Sequence, residues 1–459
     1  MKDETISRRN FINKTSLSLA GVALTSGIPT TSFAKALNNS AKPAILGGPS
    51  AHMAEWPKWP MWHPESDEKL VIDVLRKGRW SRGDTVARFE QKWAEVIGSK
   101  RCLATTNGTH ALIVAMRMLD IGPGDEVLTT PYTFIATIAA ILLCNAMPRF
   151  VDVDPETFQI DPDKLEEKIT SNTRAILPVH ILGLPSDMKR IMRIAQKHNL
   201  IVIEDACQAW LAEIEQRKLG TFGAAGCFSF QTSKNIPIGE GGALVSDDED
   251  FMDRAFSFHN FGRPYGNMVG DVSGSYVMLG TKCRMTEYQA AIGLAQLERL
   301  ENQTTLRNEN ARYLKSLIKD IPGILPYRLY DGVTRAAFHL FPFRYKEQQF
   351  GGLTRDKFLK ALKAEGISCY SGYTPLNTMP YLKDALTSRA FQRIYPKERL
   401  DFEQYISENH CPANDKLCRE AVWLPQNVLL GSQNDMDDIA IAVQKIQNHA
   451  EAINKKLGG

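Results

Sequence analysis

Three short strings carry residue types that can do chemistry, and each follows a run that reads as a strand. The first is Thr106-Asn107-Gly108-Thr109. A glycine there lets the backbone approach a ligand, and the start of the next helix offers unpaired N–H groups to an anion. A plain strand-to-helix turn also carries glycine for steric reasons. The second is Ile203-Glu204-Asp205-Ala206-Cys207-Gln208. An acid ending an apolar strand sits where water is scarce, and an anionic Asp205 there can hold a cationic heterocycle nitrogen. The same residue also fits a helix N-cap. The third runs from Phe228 to Gly242, with Lys234 after a buried strand and a Gly-rich turn after the lysine. Most lysines are solvated. A partly desolvated one has a depressed pKa and can form a Schiff base, whereas at an ordinary pKa of ~10.4 almost no neutral amine exists near neutral pH.

Together the three strings fit pyridoxal phosphate. The phosphate would sit at the Gly108/Thr109 helix start, the pyridine nitrogen would pair with Asp205, and Lys234 would capture the aldehyde. An acid that keeps the ring protonated lets the ring accept the electrons left when a substrate Cα loses its proton. The released lysine amine can then carry that proton.

These strings must be positioned by regular elements, and from about residue 100 strands and helices alternate. Arg101 to Thr106 reads as a strand. Leu112, Ala115, Met116 and Leu119 then recur at helical spacing. Gly122-Pro123-Gly124-Asp125 turns into a strand over Glu126 to Thr129. Phe134 to Cys144 reads as an apolar helix, Arg149 to Val153 as a strand, and Asp161-Pro162 as a capped helix start. Strands over Arg174 to Val179, Leu200 to Glu204, Cys227 to Phe230 and Ala243 to Ser246 continue the series, with a helix over Asp187 to His198. The Leu-Ile-Val-Ile run before Glu204 is apolar on both faces, as in a parallel sheet covered by helices. The pattern predicts an open α/β fold with a mostly parallel sheet. A long helix over Glu287 to Leu317 leads to a smaller C-terminal α/β domain. That domain has a strand over Ala337 to Tyr345, a helix over Thr354 to Glu365 and a terminal helix from Asp435 to Lys455. The Trp/Pro-rich segment Trp56 to Pro64 has no clear period and reads as an arm packed on the main domain or on another subunit.

Composition bounds the rest. The chain has 459 residues, 43% hydrophobic and 23% charged, enough for two or three domains of ~150 residues without disulfide or metal staples. Lys plus Arg total 55 and Asp plus Glu 52, a net charge of +3 without long runs of one sign, so a nucleic-acid surface is not expected. Cysteines stand at 102, 144, 207, 227, 283, 369, 411 and 418 without CxxC or Cys/His ligand spacing, which points to buried thiols and not to zinc. At the N-terminus, Arg8-Arg9 precedes a mildly apolar stretch, Leu17 to Leu24, and an Ala34-Lys35-Ala36 string. That reads as a twin-arginine export signal over residues 1–36, and hence a periplasmic protein, with a cytoplasmic one as the alternative. The stretch is far below the ~20 residues that span a bilayer, so no membrane anchor is expected. The expected organisation is signal 1–36, arm and large domain 37–312, and small domain 313–459.

Over roughly residues 43 to 450 the chain resembles the DegT/DnrJ/StrS family of sugar aminotransferases. The resemblance rests on ordered strings: Asn107 to Leu112, Pro131 to Thr137, Pro178 to Gly183, Glu204 to Gln208, Phe228 to Gly242, and Arg284-Met285-Thr286-Glu287. It implies a fold type I enzyme that uses pyridoxal phosphate. It also implies a homodimer with active sites shared between subunits, an amino donor such as glutamate or glutamine, and a keto-sugar or keto-cyclitol acceptor. Carried over, Lys234 is the Schiff-base lysine, Asp205 the ring-nitrogen partner, Gln208 the donor to the ring oxygen and Phe134 the stacking aromatic. Gly108, Thr109 and Ser229 hold the phosphate. Relatives often show Gly-x-Asn-x-Arg-Met where this chain has Gly280 to Met285, so Lys282 replaces an asparagine that reaches the neighbouring subunit's phosphate. Pro375-Leu376-Asn377 departs from the family's Pro-Leu-His. Leu46 to Pro49, the two Trp-Pro pairs and Val422 to Pro425 resemble the branch of scyllo-inosose aminotransferases and 3-amino-5-hydroxybenzoate synthases. Lys234 argues against the branch that dehydrates sugars with a histidine in its place. A dehydratase or epimerase, or a non-catalytic binding protein on the same scaffold, is the alternative.

Overall fold

The apolar runs of the central region form one sheet. In chain order the strands are β1 (Arg101–Thr105), β2 (Glu126–Thr129), β3 (Met147–Phe150), β4 (Thr173–Ile176), β5 (Ile201–Asp205), the short hairpin β6 (Glu213–Ile214) and β7 (Arg217–Lys218), β8 (Ala225–Ser229) and β9 (Gly242–Ser246). These come from a computed structural model that describes residues 41–266 and 274–458. The expected export signal lies outside the described residues. Seven strands pair in the order β1-β9-β8-β5-β4-β2-β3. Strands β2, β3, β4, β5 and β8 pair in parallel, and β9 alone runs against both its neighbours. The C-terminal ends of β1, β2, β5 and β8 therefore meet at one edge, the place where open α/β sheets bind ligands. Strands β2, β8 and β9 are buried at every position, because apolar clusters cover both faces. One cluster contains Phe89, Trp93, Phe228 and Phe230, with Trp93 edge-on to Phe230 at 5.2 Å. The other contains Leu112, Ala115, Met116 and Ile141.

A second sheet is antiparallel throughout. It comprises β10 (Ile324–Pro326), β12 (Leu340–Tyr345), β13 (Tyr370–Ser371) and β14 (Ala421–Pro425), in the order β10-β12-β14-β13. Strand β11 (Val333–Arg335) instead joins the β6–β7 hairpin. The 32-residue helix Glu287–Ile318 packs on helices Pro64–Lys77 and Asp84–Ile97 and on helix Gln433–Asn448. The expected boundary at 312/313 falls inside it. Among the described residues no helix is long and apolar enough to cross a membrane.

Three expectations need correction. The strand expected over Arg149 to Val153 is Met147–Phe150, because its partner β2 ends at Thr129, opposite Phe150. Asp161 does cap a helical turn, accepting from the Asp163 N–H. Only the 3-10 turns Pro162–Lys164 and Glu166–Lys168 follow, since so few apolar positions cannot carry a full helix. The terminal helix breaks at His449 into Gln433–Asn448 and Ala450–Leu457.

The string Arg284-Met285-Thr286-Glu287 has a local structural task. Thr286 and Gln289 form a capping box for their own helix. The buried Glu287 carboxylate accepts from the N–H groups of Gly83 (2.8 Å), Thr85 (3.0 Å) and Val86 (2.9 Å), so it caps the helix Asp84–Ile97 from another part of the chain. Glu287→Ala strands these donors and should cost about 3 kcal/mol of stability, read as a lower urea midpoint at an unchanged slope.

Candidate active site

At the C-terminal edge of the main sheet lies a cavity of about 560 Å³. Its lining includes Gly108, Thr109, Phe134, Asp205, Gln208, Ser229 and Lys234, so seven of the eight residues singled out in the sequence meet in one place. The eighth, Lys282, is exposed and does not line the cavity of its own chain.

The anion-facing side starts at the helix Gly108–Met118. Asn107 caps it, its side-chain oxygen accepting from the His110 N–H at 2.8 Å. The first N–H groups of such a helix have no partner within it. Gly108 is required by close packing. A Cβ there would lie 2.6 Å from Cys207 Sγ and 2.9 Å from Ser229 Cβ. The helix start is thus pressed against the ends of β5 and β8.

Asp205 ends β5 and is buried. Thr137 Oγ1 donates to its Oδ2 at 2.7 Å, and the Cys207 N–H donates to its Oδ1 at 3.2 Å. Thr133 and Thr137 hydroxyls are 2.8 Å apart. Because Thr137 has one proton and gives it to Asp205, Thr133 is the donor in that pair. No helix follows Asp205 directly; the next residues form turns. The capping reading is therefore met only by the local bond to Cys207. Glu204 points the other way. Its carboxylate accepts from the N–H groups of Gly220 (2.8 Å), Phe222 (2.6 Å) and Gly223 (2.9 Å) and contacts His180 Nε2 at 3.1 Å. His180 Nδ1 accepts from the Ser186 N–H, so Nε2 holds the proton and donates to Glu204.

Gln208 Oε1 accepts from the Leu182 N–H at 2.7 Å, which fixes the orientation of the amide. Its Nε2 donates to Tyr373 Oη at 3.2 Å, and the second N–H is left on the cavity side. The helix expected to begin at Phe134 starts at Ile135. Phe134 stands just ahead of it with extended backbone, and its ring is 56% exposed beside the cavity, so it is not a core residue.

Lys234 sits in the loop between β8 and β9. That loop is closed by Thr232 N–H to Gly239 O (2.9 Å) and Ile238 N–H to Phe230 O (2.9 Å). Burial lowers the Lys234 pKa, with Cys207 and Asp205 opposing in part. Burial likewise holds the neighbouring His339 well below the ordinary imidazole range, and the Lys234 and Arg307 cations add to that effect. Thr137, Tyr373 and His339 line the cavity but were not singled out in the sequence. Thr137 lies within a quoted string, three residues after Phe134. Tyr373 and His339 arrive from the second sheet region, more than 100 residues away, and carry no local signal.

A parallel sheet with one reversed strand, an acid and a lysine at adjacent strand ends, and a helix start between them define an aminotransferase of the pyridoxal-phosphate fold type I class. The chain belongs to the DegT/DnrJ/EryC1/StrS aminotransferase family, whose model matches residues 63–444. It is 33% identical over 408 residues to the L-glutamine:2-deoxy-scyllo-inosose aminotransferase of Streptomyces kanamyceticus, covering 85% of this chain and 94% of that one. It is 35% identical over 388 residues to a spore coat polysaccharide biosynthesis protein of Bacillus subtilis, covering 83% and 94%. The crystal structure of 3-amino-5-hydroxybenzoic acid synthase is similar with a TM-score of 0.74 at 29% identity, covering 87% of this chain and 99% of that one.

The depressed Lys234 pKa has a thermodynamic consequence. The unfolded chain binds the lysine proton more tightly than the native one, so stability rises with pH through that interval, and the penalty is full below the folded pKa. Lys234→Met removes it. The cofactor-free variant should melt above the cofactor-free parent at neutral pH, with the gap closing as pH climbs toward the ordinary lysine range, as followed by calorimetry.

Proposed function

We propose that this chain is a pyridoxal-phosphate aminotransferase that moves an amino group from glutamine or glutamate to a cyclic polyol or sugar bearing a ketone. The single observation that carries the reading is one cavity lined by a desolvated lysine, a buried carboxylate and a helix start. The residues fit the cofactor. Only a glycine at 108 lets the helix start come this close to the ends of β5 and β8, because a Cβ there would collide with Cys207 and Ser229. Asp205 forms no ion pair with Lys234 among the described residues, which leaves both free for opposite ends of a ring. The substrate class follows that of the relatives, several of which are L-glutamine:scyllo-inosose-type aminotransferases.

When bound, the cofactor supplies an electron-accepting ring and a carbon that exchanges amines between donor and acceptor. The chain's residues do the rest. Lys234 would hold that carbon through Nζ, for which a neutral amine is needed, and burial favours it. When free, the same Nζ would be placed to move a proton at the donor Cα, and in the reverse sense for the acceptor. Asp205 would keep a proton on the ring nitrogen. The Thr137 and Cys207 donors fix its carboxylate plane and compensate its burial. The free N–H of Gln208 would donate to the ring oxygen, Phe134 would cover the ring face, and Gly108, Thr109 and Ser229 would hold the phosphate. Tyr132 and Trp423 flank Tyr373 edge-on at 5.4 and 4.6 Å, so the phenol that orients Gln208 is itself held.

Purified protein should carry a cofactor absorbance band that moves on adding glutamine or glutamate. Lys234→Ala should lose that response and at least about 10³-fold in kcat. A panel of keto-inositols and keto-sugars, read by product mass, identifies the acceptor. Wild-type protein that binds no pyridoxal phosphate refutes the reading, and a product lacking the new amine favours a dehydratase or epimerase.

The exposed Phe261, Tyr276, Val277 and Leu279 near Lys282 suit burial against a second copy of the chain. Lys282 would then reach the phosphate side of the partner's cavity. The paired arginines at 8 and 9 support export of the folded, cofactor-loaded protein, which favours free cyclitols or sugars over nucleotide-linked ones. Periplasmic fractions should therefore yield the protein, and light scattering should read two copies. Recovery only from cytoplasm, or as single chains, rejects the corresponding part.

A further inference from the structure

The arm ahead of the first helix is a strap between the two sheets, and it touches the cofactor lysine. Trp56 Nε1 donates to Gly366 O at 2.8 Å, and Asn427 Nδ2 donates to Pro57 O at 2.8 Å, both on the side of the second sheet. Gln296 Nε2 donates to Met61 O at 3.0 Å, on the long helix. Between these anchors, Trp59 Nε1 donates to the main-chain oxygen of Lys234 at 3.2 Å.

The other side of the same peptide is gripped as well. Asn235 Nδ2 donates to Ala337 O at 2.8 Å, and its Oδ1 faces His339 Nδ1 at 3.4 Å. The Ala337 N–H in turn donates to Gly183 O at 2.8 Å. Within the loop Thr232, Ser233 and Glu240 are exposed, while Ile236 and Ile238 are buried. Besides the local bond from the Lys234 N–H to Gln231 O at 2.8 Å, the peptide that carries the Lys234 stem is thus held by two contacts brought from distant parts of the chain.

Behind Trp59 stands Arg307. Its guanidinium lies 5.3 Å from the indole centroid and is fully buried. It donates through Nε to Gln426 Oε1 at 3.0 Å, and no carboxylate pairs with it among the described residues. Burial pulls its pKa down to about 9. A buried guanidinium without a counter-ion is costly, and the indole face supplies part of what it lacks. Gln426 directly follows β14. A continuous line of contacts thus runs from the second sheet through Gln426, Arg307 and Trp59 to the Lys234 carbonyl.

We propose that Trp59 is a positioning residue for Lys234, aligning the amine from behind and tying its alignment to the place of the second sheet through Arg307 and Gln426. The inference rests on Lys234 being the cofactor lysine. Its test is Trp59→Phe in the full, cofactor-loaded protein, which deletes the indole N–H but keeps a ring over Arg307. The cofactor band should persist, with its pH midpoint displaced by about half a unit or more. The kcat should fall about tenfold, with the donor KM within about twofold. A purely structural role would lower the melting temperature and leave the midpoint unmoved. If the midpoint and kcat match wild type, or if the loss follows the melting temperature alone, the proposal is overturned. Should Trp59→Phe fail to fold, Asn427→Ala decides: it frees Pro57 while leaving the indole intact. A displaced midpoint then supports the proposal, and an unmoved one overturns it. A wild-type protein without any lysine-linked band condemns the assignment of Lys234 instead, a separate outcome.

Discussion

An amine and a carboxylate must share one water-poor cavity without collapsing into an ion pair. Opposite charges in such a place attract strongly, and a direct bridge would leave no room for anything between them. The chain prevents it by satisfying the acid first. Thr137 and the Cys207 N–H occupy the two oxygens of Asp205, so its burial is compensated without the lysine. The amine is handled by the opposite means. Burial strips much of its water and, among the described residues, no carboxylate bridges it, so its proton is easier to lose. The neutral His339 beside it adds no competing cation. A hydrogen-bonded acid and a readily deprotonated amine thus coexist because their surroundings differ.

That division depends on close backbone approach at a few points. Asp205 sits opposite Cys227 in the β5–β8 ladder, so Ser229 and then Lys234 follow within a few residues of the acid's neighbour. The helix start is pushed onto the same spot, which only a residue without Cβ allows at 108. Gly183, at φ +81°, does the equivalent on the far wall. A Cβ there would lie 2.7 Å from Gln208 O and 2.8 Å from the His339 N–H nitrogen. This contact brings the chain segment at 337–339 against Gln208, and so brings the second sheet region to the cavity.

What the sequence reveals follows from how local each signal is. Lys234, Asp205 and the Gly108 turn each stand at the end of an apolar run, and the strand order then makes their meeting a consequence of topology. The pair Glu204-Asp205 shows where local reading stops. Successive side chains of a strand point to opposite faces, but which face carries the cavity is a tertiary fact. Only the structure separates the acid that faces the site from the one that ties three backbone donors and His180 behind it. Phe134 reads as the first residue of an apolar helix, yet its place one residue ahead of the helix frees its ring. The strand expected to reach Val153 stops at Phe150 because its partner ends, which no property of residues 151–153 announces. Tyr373 and His339 are invisible from sequence for a stronger reason: each acts through a contact spanning more than 100 residues. The segment Trp56 to Pro64 is legible as an arm, but its contact with Lys234 spans 175 residues and is not.

The strap also accounts for a feature that stability alone would disfavour. A fully buried arginine held by one amide oxygen and an indole face is a poor substitute for an apolar side chain of similar volume. Its position gives it a geometric use. A planar guanidinium can bond an amide oxygen in its plane while its face lies on an aromatic ring, so one side chain fixes both Gln426 and Trp59 at once. An aliphatic side chain would pack as well but would orient neither. The long helix that carries Arg307 also carries Glu287 at its start, where it caps the helix Asp84–Ile97. One continuous helix therefore sets the register of the arm at one point and of the large domain at another. The lysine lies in the loop that depends on both.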